Sequence, residues 1–167
     1  MKKKLLIIFS LLIINSSVFA LSFRGFLGIN FNKTQNEICK TMADSGWNMT
    51  YQSPDNCTFK KDNTKYRNLY IDDISVGFEN NKCNYIFVSF KEDSPENVRT
   101  YAKDFSDIVE YFTFLYDLLK INVSEKDIDG KSYLIGAFAT SDLSLMFGMT
   151  FGYDETSTSG SIYFRTK

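Results

Sequence analysis

The sequence predicts an α+β fold: one domain in two layers, with an antiparallel sheet of about six to seven strands packed against one short and one long helix. Three observations predict it. Runs rich in aromatic and β-branched residues, separated by short polar clusters, recur through both halves of the chain as strands do. Two other stretches carry apolar residues at helical spacing. The composition suits a filled interior, since 16 Phe, 10 Tyr and only 2 Pro among 167 residues favour strands over disorder.

The chain opens with Met1 and three lysines, Lys2 to Lys4, followed by an apolar run from Leu5 to Ile14 and a polar turn at Asn15, Ser16 and Ser17. Small residues at Val18 and Ala20 complete the order of a secretory signal peptide, with the cut expected after Ala20. The apolar run is half the roughly 20 residues needed to span a bilayer. Residues 1–20 are therefore expected to be removed, leaving a soluble domain over 21–167 with no membrane span and no cysteine just after the cut to accept a lipid. Removing three lysines leaves 16 basic residues against 20 acidic ones, a net charge of −4. That balance argues against nucleic acid, which asks for a basic surface. Three Asn-x-Ser/Thr matches, at Asn48, Asn56 and Asn122, read as chance in an Asn-rich chain.

From Phe23 to Phe31 the pattern reads as extended. Thr34 with Glu37 forms a capping box, Ile38, Cys39, Met42 and Ala43 share one helical face, and Gly46 stops the helix. Strands follow at Trp47 to Tyr51, Cys57 to Lys61, Leu69 to Glu79 and Cys83 to Lys91, joined by turn clusters such as Asp62-Asn63-Thr64 and Asn80-Asn81-Lys82. They read as an antiparallel meander. Tyr85 to Phe90 is apolar at nearly every position and is expected to be a central strand covered on both sides. Ser94 as N-cap and Pro95 at the first helical position open the long helix. Its stripe of Val98, Tyr101, Ala102, Phe105, Ile108, Val109, Phe112, Leu115, Tyr116 and Leu119 predicts a length of about 39 Å. After a polar loop from Asn122 to Lys131, strands are expected at Tyr133 to Thr140, Leu143 to Tyr153 and Ser161 to Thr166. In Leu143 to Tyr153, large apolar residues alternate with mostly small ones over roughly 36 Å. A long helix across a long sheet buries both.

The chemistry is mostly one of exclusions. The chain has no histidine, which removes every Ser-His-Asp and Cys-His arrangement and every histidine-held catalytic metal. No cofactor is expected. Gly130-Lys131-Ser132 has the end of a phosphate loop, but Glu125 stands where its first glycine is needed. Asp127 and Asp129 before Gly130 suggest a calcium loop, yet Gly136 falls where a bidentate Glu belongs. Adjacent in a strand, Asp72 and Asp73 should point to opposite faces and so cannot pair as acid and base. Of three cysteines, Cys57 and Cys83 are expected on different strands at different heights, beyond disulfide reach. Either Cys39 bridges to Cys57 or Cys83, or all three stay free. Tyr111, Phe114 and Leu118, at i, i+3 and i+7 opposite the main stripe, form a candidate partner surface if that side faces water.

The segments Gly28-Ile29-Asn30-Phe31, Thr34 to Gly46 with Trp47, and Tyr111 to Leu119 carry a resemblance. In their order the chain resembles small exported bacterial proteins of unknown function, and more loosely the helix-plus-sheet modules of β-lactamase-inhibitor-like and outer-membrane-assembly lipoprotein domains. That resemblance implies a non-catalytic envelope or binding role. The missing lipid-acceptor cysteine departs from the lipoproteins, and no functional residue carries over. Together these readings predict an exported, periplasmic or secreted, non-enzymatic protein that binds another protein or an envelope component through a sheet face or the Tyr111 side of the long helix, with self-association open to it. The alternative is a hydrolase that uses carboxylates alone.

Overall fold

The strand patterns build one large antiparallel sheet, and both helices pack on the same face of it. The computed structural model describes residues 25–166. The leader, its cut site, Phe23 and Arg24 lie outside the described residues. What remains of the first extended segment is a tight turn rather than a strand. Phe26 and Ile29 exchange two backbone hydrogen bonds of 2.9 Å around Leu27 and Gly28, both at positive φ. The turn drives Phe26, Ile29 and Phe31 into the core.

Helix α1, Gln35–Asp44, begins with the expected capping box between Thr34 and Glu37. Its apolar face buries Ile38 and Met42, and Gly46, at φ 78°, reverses the chain after it. The strands are β1 (Asn48–Ser53), β2 (Asn56–Lys60), β3 (Lys65–Tyr66), β4 (Leu69–Glu79), β5 (Lys82–Asp93), β6 (Leu119–Ile128), β7 (Lys131–Ala139), β8 (Leu145–Tyr153) and β9 (Thr158–Thr166). Nine strands among the described residues exceed the six or seven expected, for two reasons. One is that β3 is too short to show a period. The other is that β6 is exposed along almost its whole length, as an edge strand can be, so its polar residues read as a loop.

Helix α2, Val98–Leu115, follows a short 3-10 turn at Pro95–Asn97. The Ser94 side chain makes no capping bond. Instead the Asp93 carboxylate accepts from the Ser94 backbone N–H at 2.7 Å and from the Asn97 amide at 3.0 Å. Eighteen residues make α2 about 27 Å long, shorter than the predicted run to Leu119. It stops because Asp117 takes the left-handed conformation, φ 49°. The Leu118 N–H then bonds back to Thr113 O at 2.9 Å and the Asp117 N–H to Phe114 O at 3.4 Å, the Schellman pattern.

The sheet order is β1-β2-β4-β5-β9-β8-β7-β6, with β3 paired to β4 off that path, and every pairing is antiparallel. Two meanders thus meet at β5 and β9. Helix α2 carries the chain from the middle of the sheet to its far edge, and the chain returns strand by strand. The helix lays Phe105 against Phe90 and Phe151, and Phe112 against Phe147 and Phe164, with ring centroids 4.9 to 6.1 Å apart. Burial is one-sided. On β5, Ile86, Val88 and Phe90 are buried while Tyr85, Phe87 and Ser89 are only half-buried, so the central strand is covered by helices on one face, not on both as its apolar run suggested.

Candidate functional site

The face of the sheet that carries no helix has an ordered pattern. In register, Tyr163 stands opposite Gly148, Tyr85 opposite Gly77 and Tyr133 opposite Gly152. Each ring lies over its cross-strand glycine: a Cβ at Gly148 would run into the Tyr163 ring, one at Gly77 would come within 3.1 Å of Tyr85, and one at Gly152 within 2.8 Å of Tyr133. Glycine here supplies room rather than a special dihedral. Aromatic rings can lie down on the backbone instead of standing off it.

The Tyr85 and Phe87 rings are 6.4 Å apart at 19°, and Tyr85 and Tyr163 are 6.4 Å apart at 38°. Burial, helped by the nearby Tyr163 hydroxyl, pushes the Tyr85 phenol above its ordinary pKa. Around these rings the register places Ser75, Ser89, Ser161 and Thr150, with Met146 and Arg165 at one end. Thr58 and Ser75 share a hydroxyl–hydroxyl bond of 3.0 Å. Among the described residues, Ser75, Phe87, Tyr163 and Gly148 form an uncharged row across the middle of the face, with Arg165 opposite Tyr85 on one side of it and Asp73 opposite Ser89 on the other.

At the other end lies a shallow concavity of about 340 Å³, lined by Ser89, Ser159, Ser161, Thr150 and Tyr133 and bordered by Asp72 and Glu92. The Ser89 hydroxyl is buried there with no hydrogen-bond partner among the described residues. A β-bulge between Ile71 and Asp73 changes what was expected of the two aspartates. With Ile71 and Ile74 both fully buried, Asp72 and Asp73 both lie on the helix-free side instead of on opposite faces. Neither Asp72 nor Glu92 resembles a buried general acid, however. Lys60 approaches Asp72 at 3.4 Å, Lys131 approaches Glu92 at 3.7 Å, and the two carboxylate side chains are 45% and 65% exposed.

The other sequence candidates separate. Leu118 belongs to the core, drawn in by the Schellman turn, while Phe114 is 90% exposed. Tyr111 is capped by the Arg67 guanidinium, 4.4 Å from its ring centre. Leu118 therefore leaves the trio, because the helical spacing that joined them ends at Leu115, while Tyr111, 39% exposed, and Phe114 stay exposed one turn apart on α2. Lys131, from the apparent phosphate loop, instead ties β7 to Ser157 at 3.1 Å, with Asp154 at 3.8 Å. Asp129 and Gly130 both have positive φ and form the two-residue turn between β6 and β7. No group of His, Cys, Asp or Glu suited to a metal occurs among the described residues.

All three cysteines are free thiols. Cys39 on α1 and Cys57 on β2 face each other with Sγ atoms 3.5 Å apart. Cys83 is buried on β5 beside the Tyr85 carbonyl at 3.8 Å, and burial pushes its thiol up to about 12. A sheet face was one of the two partner surfaces expected from the sequence, and the small residues Gly148, Thr150 and Gly152 alternating on β8 were its signal; the tyrosines that cover those glycines come from neighbouring strands and were not foreseen. Comparison with protein families, curated proteins and solved structures finds no match. The functional reading therefore rests on these residues.

Proposed function

We propose that the chain is an exported, non-catalytic binding protein that presents the helix-free face of its sheet to another protein of the cell envelope. The observation that carries the reading is the make-up of that face. Tyr85, Phe87, Tyr163, Met146 and Arg165 are the residue types that protein interfaces concentrate, and the charges that interfaces deplete are absent from its middle. Rings held flat on glycines form a rigid surface that loses little side-chain entropy when a partner arrives. Export is supported by the order of Lys2 to Lys4, the apolar run and Ala20. No helix among the described residues is long and apolar enough to cross a membrane. The carboxylate-only hydrolase has less support, since Asp72 and Glu92 each face a lysine and stand open to water.

The test is site-specific photocrosslinking in producing cells, with the crosslinker at Phe87 and, as control, at Lys103 on the exposed side of α2. A discrete protein adduct from Phe87 but not from Lys103 is expected, with Tyr163→Glu weakening capture about tenfold or more. An adduct from Lys103 alone, or none from Phe87, would overturn the reading.

A further inference from the structure

A second feature, away from the sheet face and independent of it, lies where α1 packs on the sheet edge. Cys39 projects from the middle of α1 and Cys57 from β2, and their sulfurs touch at 3.5 Å. That separation exceeds the disulfide bond length of about 2.05 Å by roughly 1.5 Å. Cys39 is half-exposed whereas Cys57 is fully buried. The Gln35 amide holds the buried partner in place, donating to Cys57 Sγ at 3.1 Å and to the Ser53 carbonyl at 2.7 Å. Met49 Sδ stands 4.0 Å from Cys39 Sγ on the outer side. Cys83 lies instead on β5, its sulfur 3.8 Å from the Tyr85 backbone carbonyl, and among the described residues no second thiol bonds to it.

We propose that Cys39 and Cys57 are a paired oxidation site that closes to a disulfide locking α1 onto β2, and that Cys83 remains a reduced, structural thiol. The oxidant is a donor disulfide, small or protein-borne. Cys39, the accessible thiol, loses its proton and attacks one donor sulfur, which breaks the donor S–S bond and releases the first thiolate. Cys57 then gives up its proton and attacks Cys39 Sγ, expelling the second thiolate. Two protein thiols are oxidised, one donor disulfide is reduced, and the two thiol protons end on the two released thiols. Burial, with a smaller contribution from the facing Cys57, pushes the Cys39 thiol up to about 11. Attack by the folded protein is therefore slow at neutral pH and speeds up as pH rises.

The experiment oxidises the folded protein with excess glutathione disulfide under alkaline conditions, then maps it without reduction. Trypsin cuts after Lys40, so Cys39 and Cys57 fall on different peptides, and Cys83 lies on a third between Lys82 and Lys91. Expected are a cross-linked pair of the Cys39 and Cys57 peptides, loss of two of the three maleimide-reactive thiols measured after denaturation, and the same bridge in Cys83→Ser. Cys39→Ser, at a half-exposed position that folding tolerates, should abolish the bridge. The urea midpoint of the oxidised protein should rise by something on the order of 1 M. Three thiols retained after long oxidation, a stable glutathione adduct on Cys39 with Cys57 still free, or a bridge to Cys83 would each overturn the proposal.

Discussion

Glu37 shows how much one exposed side chain can be asked to do. Its carboxylate accepts from Lys33 Nζ at 2.7 Å and from the Thr34 backbone N–H at 2.9 Å, while the Thr34 hydroxyl accepts from the Glu37 N–H at 3.4 Å. The Lys33 bond first, and the Thr34 backbone and side-chain bonds after it, hold its pKa down from 4.5 to about 2. A carboxylate whose folded pKa lies below its unfolded one binds fewer protons when folded. Its contribution to stability is thus present above the unfolded value and lost as pH falls through the folded one. Glu37→Gln should accordingly flatten the loss of stability between about pH 5 and pH 2, read as urea midpoints across that range. Asp142 and Asp154 are lowered in the same direction by their loop hydrogen bonds, so acid sensitivity should shrink and not vanish. Thr34→Ala removes the other half of the box and should cost about 1 kcal/mol at neutral pH. An unchanged acid slope in Glu37→Gln would mean that the box does not persist in solution.

At the scale of elements, the two-residue hairpins decide the register. Asn80-Asn81 between β4 and β5, and Asp129-Gly130 between β6 and β7, each put two successive residues at positive φ, the type I′ geometry whose twist matches the flanking strands. Gly130 has no atom within 4 Å of where a Cβ would stand. Gly130→Ala therefore tests backbone strain alone and should cost about 1 kcal/mol, whereas Gly148→Ala, which drives a Cβ into the Tyr163 ring, should cost more. Chemical denaturation of both variants checks the order, and a larger loss at Gly130 would reverse the argument. These turns also explain what could be read beforehand. The asparagine pair was legible as a turn, and so were the capping box, the Gly46 stop and the alternation on β8, because each is written within a few neighbouring residues. Asp129-Gly130 was not legible as a hairpin because the half of β6 that leads into it, Ser124 to Asp127, is wholly polar, and the alternation of Leu119, Ile121 and Val123 lies farther back, against the end of the predicted helix. The end of α2 was set too late because an aspartate, not a glycine, takes the left-handed position. Least legible was the candidate binding face: Tyr163 and Gly148 meet only through the β8–β9 register, and nothing local in the sequence records that register.

For the molecule as a whole, the decisive junction is where the two meanders close. A sheet whose central pair, β5 and β9, is separated by more than sixty residues cannot hold together until α2 has crossed it and β6 to β8 have returned. Phe112 sits at that closure. Its ring lies 4.9 Å from Phe164 on β9, 5.7 Å from Phe147 on β8, 5.8 Å from Tyr66 on β3 and 5.9 Å from Phe26 in the opening turn, so one side chain joins the N-terminal turn, the helix and both meanders. Truncating such a ring removes buried area and leaves a void that several elements must collapse to fill. A loss of about 3–5 kcal/mol is expected for Phe112→Ala, a large share of the roughly 5–15 kcal/mol a domain has in total. Phe114, two positions along the same helix and 90% exposed, supplies the control: Phe114→Asp should change stability by no more than about 0.5 kcal/mol. Urea unfolding of the two variants, followed by both near- and far-ultraviolet circular dichroism, separates the cases. If the packing is as described, Phe112→Ala shifts both signals together, because the meanders share a single core. If the near-ultraviolet signal melts first, the two halves are independent, and the helix-free face could not be the rigid surface that the binding proposal requires.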